Sequence, residues 1–143
     1  MNKLQNIENL TASERLIMCG IRPSVQRLAI MDYLMNNHNH PTVDVIYNQL
    51  LPSIPTLSRT TVYNTVEALV EHGAASALTI DSRNAHYDAR LDPHSHFMCN
   101  RCGRIIDMPL HYDVMNDSPE PGSTVESVNI YYRGLCNNCN SRQ

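Results

Sequence analysis

The sequence predicts an α+β protein with two domains: an N-terminal winged helix-turn-helix over residues 1–89 and a C-terminal α/β domain with a four-cysteine zinc site over residues 90–143. Three observations predict this fold. Serine or threonine precedes three apolar runs of helical period, two β-like runs follow the third helix, and two Cys-x-x-Cys pairs lie among β-rich segments further on. A hairpin directly after a helix-turn-helix indicates a wing.

Each predicted helix of the first domain has a start signal. The expected N-caps are Ser24, Thr42 and Ser58. Behind them, apolar residues recur every three or four positions, as do Val62, Val66 and Leu69 of the third helix. Pro52 and Gly73 follow the second and third runs and predict where these helices end.

The second half of the chain is predicted to consist of strands and loops. The runs 77–80 and 85–88 flank the turn-rich segment Asp-Ser-Arg-Asn and predict a hairpin. Strands are predicted over 96–99, 104–108 and 125–134. Residues 113–124 contain Pro119, Pro121 and Gly122, so this segment is expected to form a loop or a single helical turn.

The chain has no run of about 18 apolar residues, which excludes a membrane span. Its N-terminus, MNKLQNIENL, is polar and lacks the apolar core of a signal peptide, so a cytoplasmic location is expected. Thiols stay reduced there. The paired cysteines therefore favour a metal site or a redox centre over structural disulfides.

The two cysteine pairs are Cys99/Cys102 and Cys136/Cys139, separated by residues 103–135. Each pair can present two sulfurs to one metal, and two pairs complete the tetrahedron that structural Zn²⁺ prefers. Two independent redox or buried cysteine pairs are the alternative. Thioredoxin-like chemistry is disfavoured, because neither pair begins a helix after a βαβ pattern.

A second group of metal-ligand types lies just before and after the first cysteine pair. Asp88, His94, His96 and Asp107 fall within twenty positions of one another. In an extended segment His94 and His96 share one face, since side chains alternate. A mixed imidazole and carboxylate set suits Fe²⁺, Mn²⁺, Co²⁺ or Zn²⁺. His40, in the loop before the second helix, is a fifth candidate, and surface polar residues are the alternative interpretation.

The charge pattern does not by itself suggest a partner. The net charge is −3, and over residues 1–83 acidic residues outnumber basic ones by seven to six. Binding to DNA would therefore depend on a few placed side chains rather than on a global field. Candidate base-edge and phosphate contacts are Arg22, Arg27, Arg59, Thr60, Thr61, Tyr63 and Asn64. An ordinary solvated helix face is the alternative.

Taken together, these motifs resemble the ferric-uptake-regulator (Fur) family. The resemblance is carried by SRTTVYN (58–64), HYD (86–88), HSHFMCNRCG (94–103), RIID (104–107) and GLCNNC (134–139). It runs from about Leu16 to Cys139. The sequence looks most like the peroxide-sensing (PerR) branch, because the branch's regulatory ligand types occur at every matching position: His40, Asp88, His94, His96 and Asp107.

The resemblance implies a metal-dependent repressor of double-stranded operator DNA that acts as a homodimer. It implies structural Zn²⁺ on the four cysteines, and Fe²⁺ or Mn²⁺ on the five regulatory ligands, so that one cation ties the two halves together. It further implies that peroxide oxidises His40 or His94 when the metal is iron. Gln26 and Arg27 remain from the family's Thr-Pro-Gln-Arg turn, whose proline is displaced to Pro23. Ser127 and Val128 replace histidines found in many relatives, which argues against a further metal site.

Other functions stay open at this point. An iron-, manganese- or zinc-responsive repressor without oxidation chemistry has the same overall design. The lone Cys19 and the histidines weakly suggest a haem-responsive regulator, although a lone cysteine is more often a small buried apolar residue. A mononuclear metalloenzyme is disfavoured, since no glutamate base accompanies the ligands and five protein ligands leave little room for a substrate. A non-enzymatic protein is therefore expected.

Overall fold

The computed structural model describes residues 7–111 and 113–141. Residues 1–6, which begin the polar N-terminal segment considered above, lie outside the described residues. Backbone contacts divide the chain into two compact units, residues 1–92 and residues 93–143. Helices and strands are both present, so the α+β fold class is confirmed. Within the described ranges, no helix is long and apolar enough to cross a bilayer.

Four complete helices lie within the described residues of the first unit. They are α1 (Ala12–Met18), α2 (Val25–Asn36), α3 (Val43–Leu50) and α4 (Arg59–Glu71). The predicted N-caps are confirmed: the side chains of Ser24, Thr42 and Ser58 accept hydrogen bonds from the backbone N–H groups of Arg27, Val45 and Thr61. These bonds satisfy donors that the first helical turn cannot pair internally.

Apolar periodicity did not predict α1, but the sequence contains a start signal for this helix. Thr11 accepts from the backbone N–H of Glu14, and the Glu14 carboxylate accepts from the backbone N–H of Thr11. This reciprocal pair is a capping box. A search for Ser or Thr followed three residues later by Glu would have found the start of this helix.

A short antiparallel hairpin follows α4. Its strands are β1 (Ser76–Leu78) and β2 (His86–Asp88), with Leu78 opposite His86. Gly73 ends α4 in the left-handed conformation, with φ of 77°, as its position predicted. The predicted first strand was wrong at its end, because Thr79 and Ile80 leave the ladder and Ile80 turns into the interior. We call the connection 79–85 the wing turn.

The core of the first unit lies where the helices pack on one another and on β2. Its members are almost fully removed from solvent: Leu16, Ile30, Met31, Leu34, Ile46, Val62, Val66, Leu69 and Tyr87. They come from every helix of the unit and from the second hairpin strand. Each such side chain contributes about 1.5–3 kcal/mol through burial. The core thus fixes the position of α4 relative to the other helices.

Arg15 is a buried cation of this unit, with 2% of its surface exposed. Its guanidinium donates to the carbonyl oxygens of Ala74 at 3.2 Å and Ala89 at 2.7 Å. Burial lowers the pKa of Arg15 from its usual value. One side chain of α1 therefore ties together the residues that follow α4 and those that follow β2.

The second unit contains a three-stranded sheet and a short helix. The strands are β3 (Ser95–Cys99), β4 (Ile105–Met108) and β5 (Tyr131–Gly134), in the order β4-β3-β5, and α5 (Asn137–Asn140) follows. β3 pairs antiparallel with β4 and parallel with β5. The single 3₁₀ turn Val114–Asn116 confirms the prediction for residues 113–124.

The strand predicted over 125–134 is only partly correct. Within the described residues, 125–130 form no strand, and the ladder with β3 begins at Tyr131. A β-prone sequence needs a partner to satisfy its backbone groups. The described part of a single chain offers such a ladder only to the last four residues of the run.

We predict that Arg15→Leu lowers the free energy of unfolding of the first unit by about 2–6 kcal/mol. The change leaves two buried carbonyl groups without their donor, at about 1–3 kcal/mol each. Urea unfolding followed by circular dichroism measures the difference. Arg22→Leu is the matched control, because Arg22 is exposed and surface substitutions change stability by about 0.5 kcal/mol or less. Equal midpoints for the two variants would contradict a structural role for Arg15.

Candidate metal centres and nucleic-acid interface

The four paired cysteines meet in the second unit. One ligand sulfur from each of Cys99, Cys102, Cys136 and Cys139 lies within 4.8 Å of all the others. The Sγ atoms of Cys102 and Cys136 are 3.8 Å apart. Sulfurs placed tetrahedrally around Zn²⁺ at about 2.3 Å are about 3.8 Å from one another. The cluster therefore has the size and donor chemistry of a closed thiolate zinc site.

Two turns bring the sulfurs together. In the first, Gly103 adopts φ of 76° and its N–H donates to the carbonyl of Cys99 at 2.9 Å. In the second, Cys136 is the N-cap residue of α5, and Cys139 lies within that helix. The Arg101 guanidinium donates to the carbonyl of Cys139 at 3.0 Å and joins the two turns.

The thiols of Cys99 and Cys139 differ widely in pKa. The backbone N–H groups of Cys102 and Cys136 lower the pKa of Cys99 to about 5. The hydrogen bond with Cys136, together with burial, raises the pKa of Cys139 to about 12. Thiolates this close repel one another, so without a cation the protons are shared unequally. A dication removes the repulsion and lets all four sulfurs act as thiolate ligands.

The second unit also brings together His94, His96 and Asp107. The Nε2 atoms of His94 and His96 lie 3.5 Å and 3.3 Å from the same oxygen, Oδ1 of Asp107. Strand pairing explains part of this, because His96 is directly opposite Asp107 in the β3–β4 ladder. The two imidazole rings are 4.4 Å apart, edge to face. These three side chains converge as the ligands of one cation do.

The first unit places His40 beside Asp88. The Nε2 atom of His40 is 3.8 Å from Oδ2 of Asp88, and both side chains are about 96% buried, with 4% and 3% exposed. His40 adopts φ of 51°, the one positive φ at a described non-glycine residue. That conformation costs about 1–2 kcal/mol for a residue with a Cβ, so packing and hydrogen bonds must hold it in place.

Strand β2 supplies those bonds. The backbone N–H of Tyr87 donates to the carbonyl of Pro41 at 3.0 Å. Nδ1 of His86 donates to the carbonyl of His40 at 2.7 Å. Residues 40–41 are thus fastened along β2, whose last residue is Asp88.

Sequence reasoning missed His86 and its second partner, Asp81. Nε2 of His86 lies 3.1 Å from Oδ2 of Asp81 in the wing turn. The backbone N–H of Arg83, and then His86, lower the pKa of Asp81 below its usual value. No spacing rule links positions 40, 81 and 86, and only the packing of the hairpin on the His40 loop reveals this contact.

Half of the candidate DNA-contacting residues, namely Gln26, Arg27, Thr61 and Asn64, line one cleft of the first unit. The cleft has a volume of about 370 Å³ and is lined by Ser24, Gln26, Arg27, Thr61, Asn64 and Thr65. The N-termini of α2 and α4 meet there, both with serine caps. Thr60, Tyr63 and Arg22 are exposed. The Arg27 guanidinium donates to the carbonyl of Arg22 at 2.9 Å, which orders this edge.

Arg59, the first residue of α4, has two contacts that the sequence did not suggest. Its Nε donates to Oδ1 of Asp44 at 2.9 Å, and its guanidinium lies 4.3 Å from the centre of the Tyr47 ring. The side chains of Arg59 and Asp44 remain 60% and 70% exposed. An exposed pair of this kind contributes about 0.2–1 kcal/mol, so the guanidinium can exchange Asp44 for another anion at little cost.

Cys19 is not part of the cysteine cluster. It follows α1 and packs partly buried against the core of the first unit. This position agrees with its interpretation as a small apolar residue.

The fold and these sites define a metal-binding regulator with a helix-turn-helix, and the chain belongs to the ferric uptake regulator family, whose family model matches residues 18–131. The resemblance seen in the sequence is thereby confirmed. The peroxide-responsive repressor PerR of Staphylococcus epidermidis is 32% identical over 125 residues, covering 84% of this chain and 82% of that protein.

Solved structures give the same result. PerR from Streptococcus pyogenes, described for peroxide sensing and gene regulation, is 32% identical with a TM-score of 0.51, covering 97% of this chain and 94% of that one. The ferric uptake regulator Fur of Helicobacter pylori, described with three functional metal binding sites, is 21% identical with a TM-score of 0.72, covering 97% and 95%. The latter likeness shows the fold.

Proposed function

We propose that this chain is a metal-dependent transcriptional repressor that binds double-stranded operator DNA as a homodimer and releases it when peroxide oxidises a ligand histidine. Residues 1–89 bind DNA in this proposal, and residues 90–143 carry dimerisation and metal sensing. One observation carries it: nitrogen and oxygen donors of the types expected for the PerR branch converge in one pair, His40 with Asp88, and in one triad, His94 and His96 with Asp107.

The regulatory metal site is proposed to combine both groups of donors. His40 and Asp88 supply ligands from the first unit, and His94, His96 and Asp107 supply ligands from the second. Three imidazoles and two carboxylates suit Fe²⁺ or Mn²⁺ better than they suit a closed thiolate site. Because the ligands belong to two compact units, occupancy of such a site would restrict how the units are arranged and hence how the helix-turn-helix meets DNA.

Bound Fe²⁺ would supply the redox chemistry by reducing hydrogen peroxide beside a ligand imidazole. The net reaction inserts one peroxide oxygen into an imidazole C–H bond, and the other oxygen leaves as water. His40 and His94 match the oxidised positions of the PerR branch. The protein's part is to bury these rings at the metal, since His40 and His94 expose only 4% and 5% of their side chains. Mn²⁺ in the same site would not carry out this reaction.

Contact with DNA is proposed through α4 and the N-terminus of α2. Thr60, Thr61, Tyr63 and Asn64 would meet base edges and phosphates, while Arg22, Gln26, Arg27 and Arg59 would meet the backbone. Serine-capped helix N-termini at the cleft favour anionic phosphate groups. These local contacts would allow the first unit to bind DNA although the net charge of the chain is −3.

The four cysteines are proposed to bind structural Zn²⁺, and the sheet that they fasten is proposed to mediate dimerisation. Support for the dimer comes from the β-prone run 125–130, which forms no strand within the described part of one chain. A second copy can supply the backbone partners that such a run needs.

The peroxide mechanism predicts a specific mass change. Protein loaded anaerobically with Fe²⁺ and treated with hydrogen peroxide should gain one oxygen atom on His40 or His94, measured by peptide mass spectrometry. Protein loaded with Mn²⁺ should gain none. His72 and His111, which are exposed, serve as internal controls. Equal oxidation with both metals, or with neither, would instead support an iron-, manganese- or zinc-responsive repressor without oxidation chemistry.

Removal of one thiolate should release the structural metal. We expect Cys139→Ala to bind no stoichiometric zinc and to lose the native fold of residues 93–141, because a structural zinc site contributes directly to folding. Elemental analysis after gel filtration measures the metal. Cys19→Ala is the matched control and should keep its zinc. Retention of full zinc by the Cys139 variant would exclude this cysteine as a ligand.

Arg59→Ala should weaken binding to DNA and reduce the slope of log K against log salt by about one unit, as expected for loss of one phosphate contact. The probe is a duplex selected from a random-sequence library by the Mn²⁺-loaded protein. Fluorescence anisotropy over a salt series measures the slope. Asp44→Ala is the control: it removes the competing carboxylate while leaving Arg59, so its slope should not fall. An unchanged slope in Arg59→Ala would remove Arg59 from the phosphate contacts.

A further inference from the structure

His86 joins two loops of the first unit. Nδ1 binds the carbonyl oxygen of His40 at 2.7 Å, and Nε2 lies 3.1 Å from the Asp81 carboxylate in the wing turn. Both lengths are in the normal range for hydrogen bonds. The imidazole is 15% exposed and the Asp81 side chain 19% exposed, so neither is free to rotate in solvent. The mostly buried His86 imidazole therefore connects the backbone of His40 to the wing turn.

The contact continues to the tip of the wing turn. Oδ1 of Asp81 accepts from the backbone N–H of Arg83 at 3.0 Å, and Nε of Arg83 is 4.0 Å from the same oxygen. The Arg83 side chain is 89% exposed. Asp81 thus uses one oxygen for His86 and the other for the turn that carries the exposed Arg83 cation.

The position of His40 depends on the same ring. Because His40 holds a left-handed backbone conformation, with φ of 51°, its carbonyl needs a fixed donor to keep the loop in this shape. His86 is that donor. A shift of the His40 backbone therefore changes the hydrogen bond between the His40 carbonyl and Nδ1 of His86. A shift of the wing turn changes the contact between Asp81 and Nε2 of His86.

We propose that Asp81 and His86 are positioning residues that couple the wing turn to His40, so that metal bound through His40 and DNA bound beside the wing turn strengthen each other. The inference rests on the proposed function, since it takes His40 as a metal ligand. Coupling between two binding sites is reciprocal and is measured as a ratio of affinities.

The measured quantity is the ratio of the Kd for the selected duplex with chelator to the Kd with saturating Mn²⁺, using the full-length protein. In Asp81→Ala the ratio should fall by about fivefold or more, the lower end of measured couplings. In Asp81→Asn the amide oxygen can accept from the Arg83 N–H and the amide nitrogen can donate to Nε2 of a neutral His86, so both contacts persist and the wild-type ratio should be retained within about twofold. His86→Asn keeps a donor near the His40 carbonyl but is too short to reach Asp81, so it should match Asp81→Ala.

Arg83→Ala is the matched control for a general defect of the wing. It removes the exposed cation and should weaken DNA binding equally with and without Mn²⁺, which leaves the ratio unchanged. An unaltered ratio in Asp81→Ala, with a metal-dependent wild-type protein, overturns the coupling and leaves the proposed function standing. A wild-type protein whose DNA affinity ignores Mn²⁺ overturns both. Failure of Asp81→Asn to restore the ratio also overturns the coupling.

Discussion

The second unit depends on the meeting of four cysteine sulfurs, because its described residues form almost no other apolar core. Three of these cysteines are buried, and among the residues that the structure describes, Phe97 and Ile106 are the apolar side chains that pack against them. An apolar cluster this small cannot offset the conformational entropy of ordering about fifty residues. The same sulfurs hold together the carboxyl ends of two parallel strands: Cys99 ends β3, and Cys136 follows β5 and Leu135. Since β3 carries His96 opposite Asp107, the cluster also determines where the imidazole and carboxylate donors lie.

The first unit is stabilised in the opposite way, by an extensive apolar core with a single buried guanidinium. Such a core can hold a residue in an unfavourable backbone conformation, and it does so at His40. The strain is offset locally, by the pairing of residues 40–41 with β2, and not by a glycine. A histidine is retained at the one described position where a side chain is conformationally disfavoured, which is the pattern expected when the imidazole itself is needed.

Much of this architecture could be predicted from the sequence, because its signals are local. Ser24, Thr42 and Ser58 cap their own helices through residues three positions away, and each cysteine pair forms its own turn. The missed features depend on contacts between distant positions. Asp81 and His86 belong to the hairpin, and no sequence periodicity predicts that the hairpin packs on the His40 loop. Likewise, Asp44 and Arg59 lie on two different helices. The strand ends at Thr79 and before Tyr131 were wrong because ladder partners, rather than β propensity, decide where a strand stops.

The four sulfurs differ in their access to water. Cys99, Cys136 and Cys139 lie in the interior, whereas Cys102 is exposed at the surface of its turn. A metal held by all four would exchange with competing chelators, or meet oxidants and electrophiles, first at this outermost thiolate. The time for which the second unit keeps its metal, and with it its fold, would then depend on the reactivity of Cys102. The overall affinity of the four cysteines for the metal would matter less.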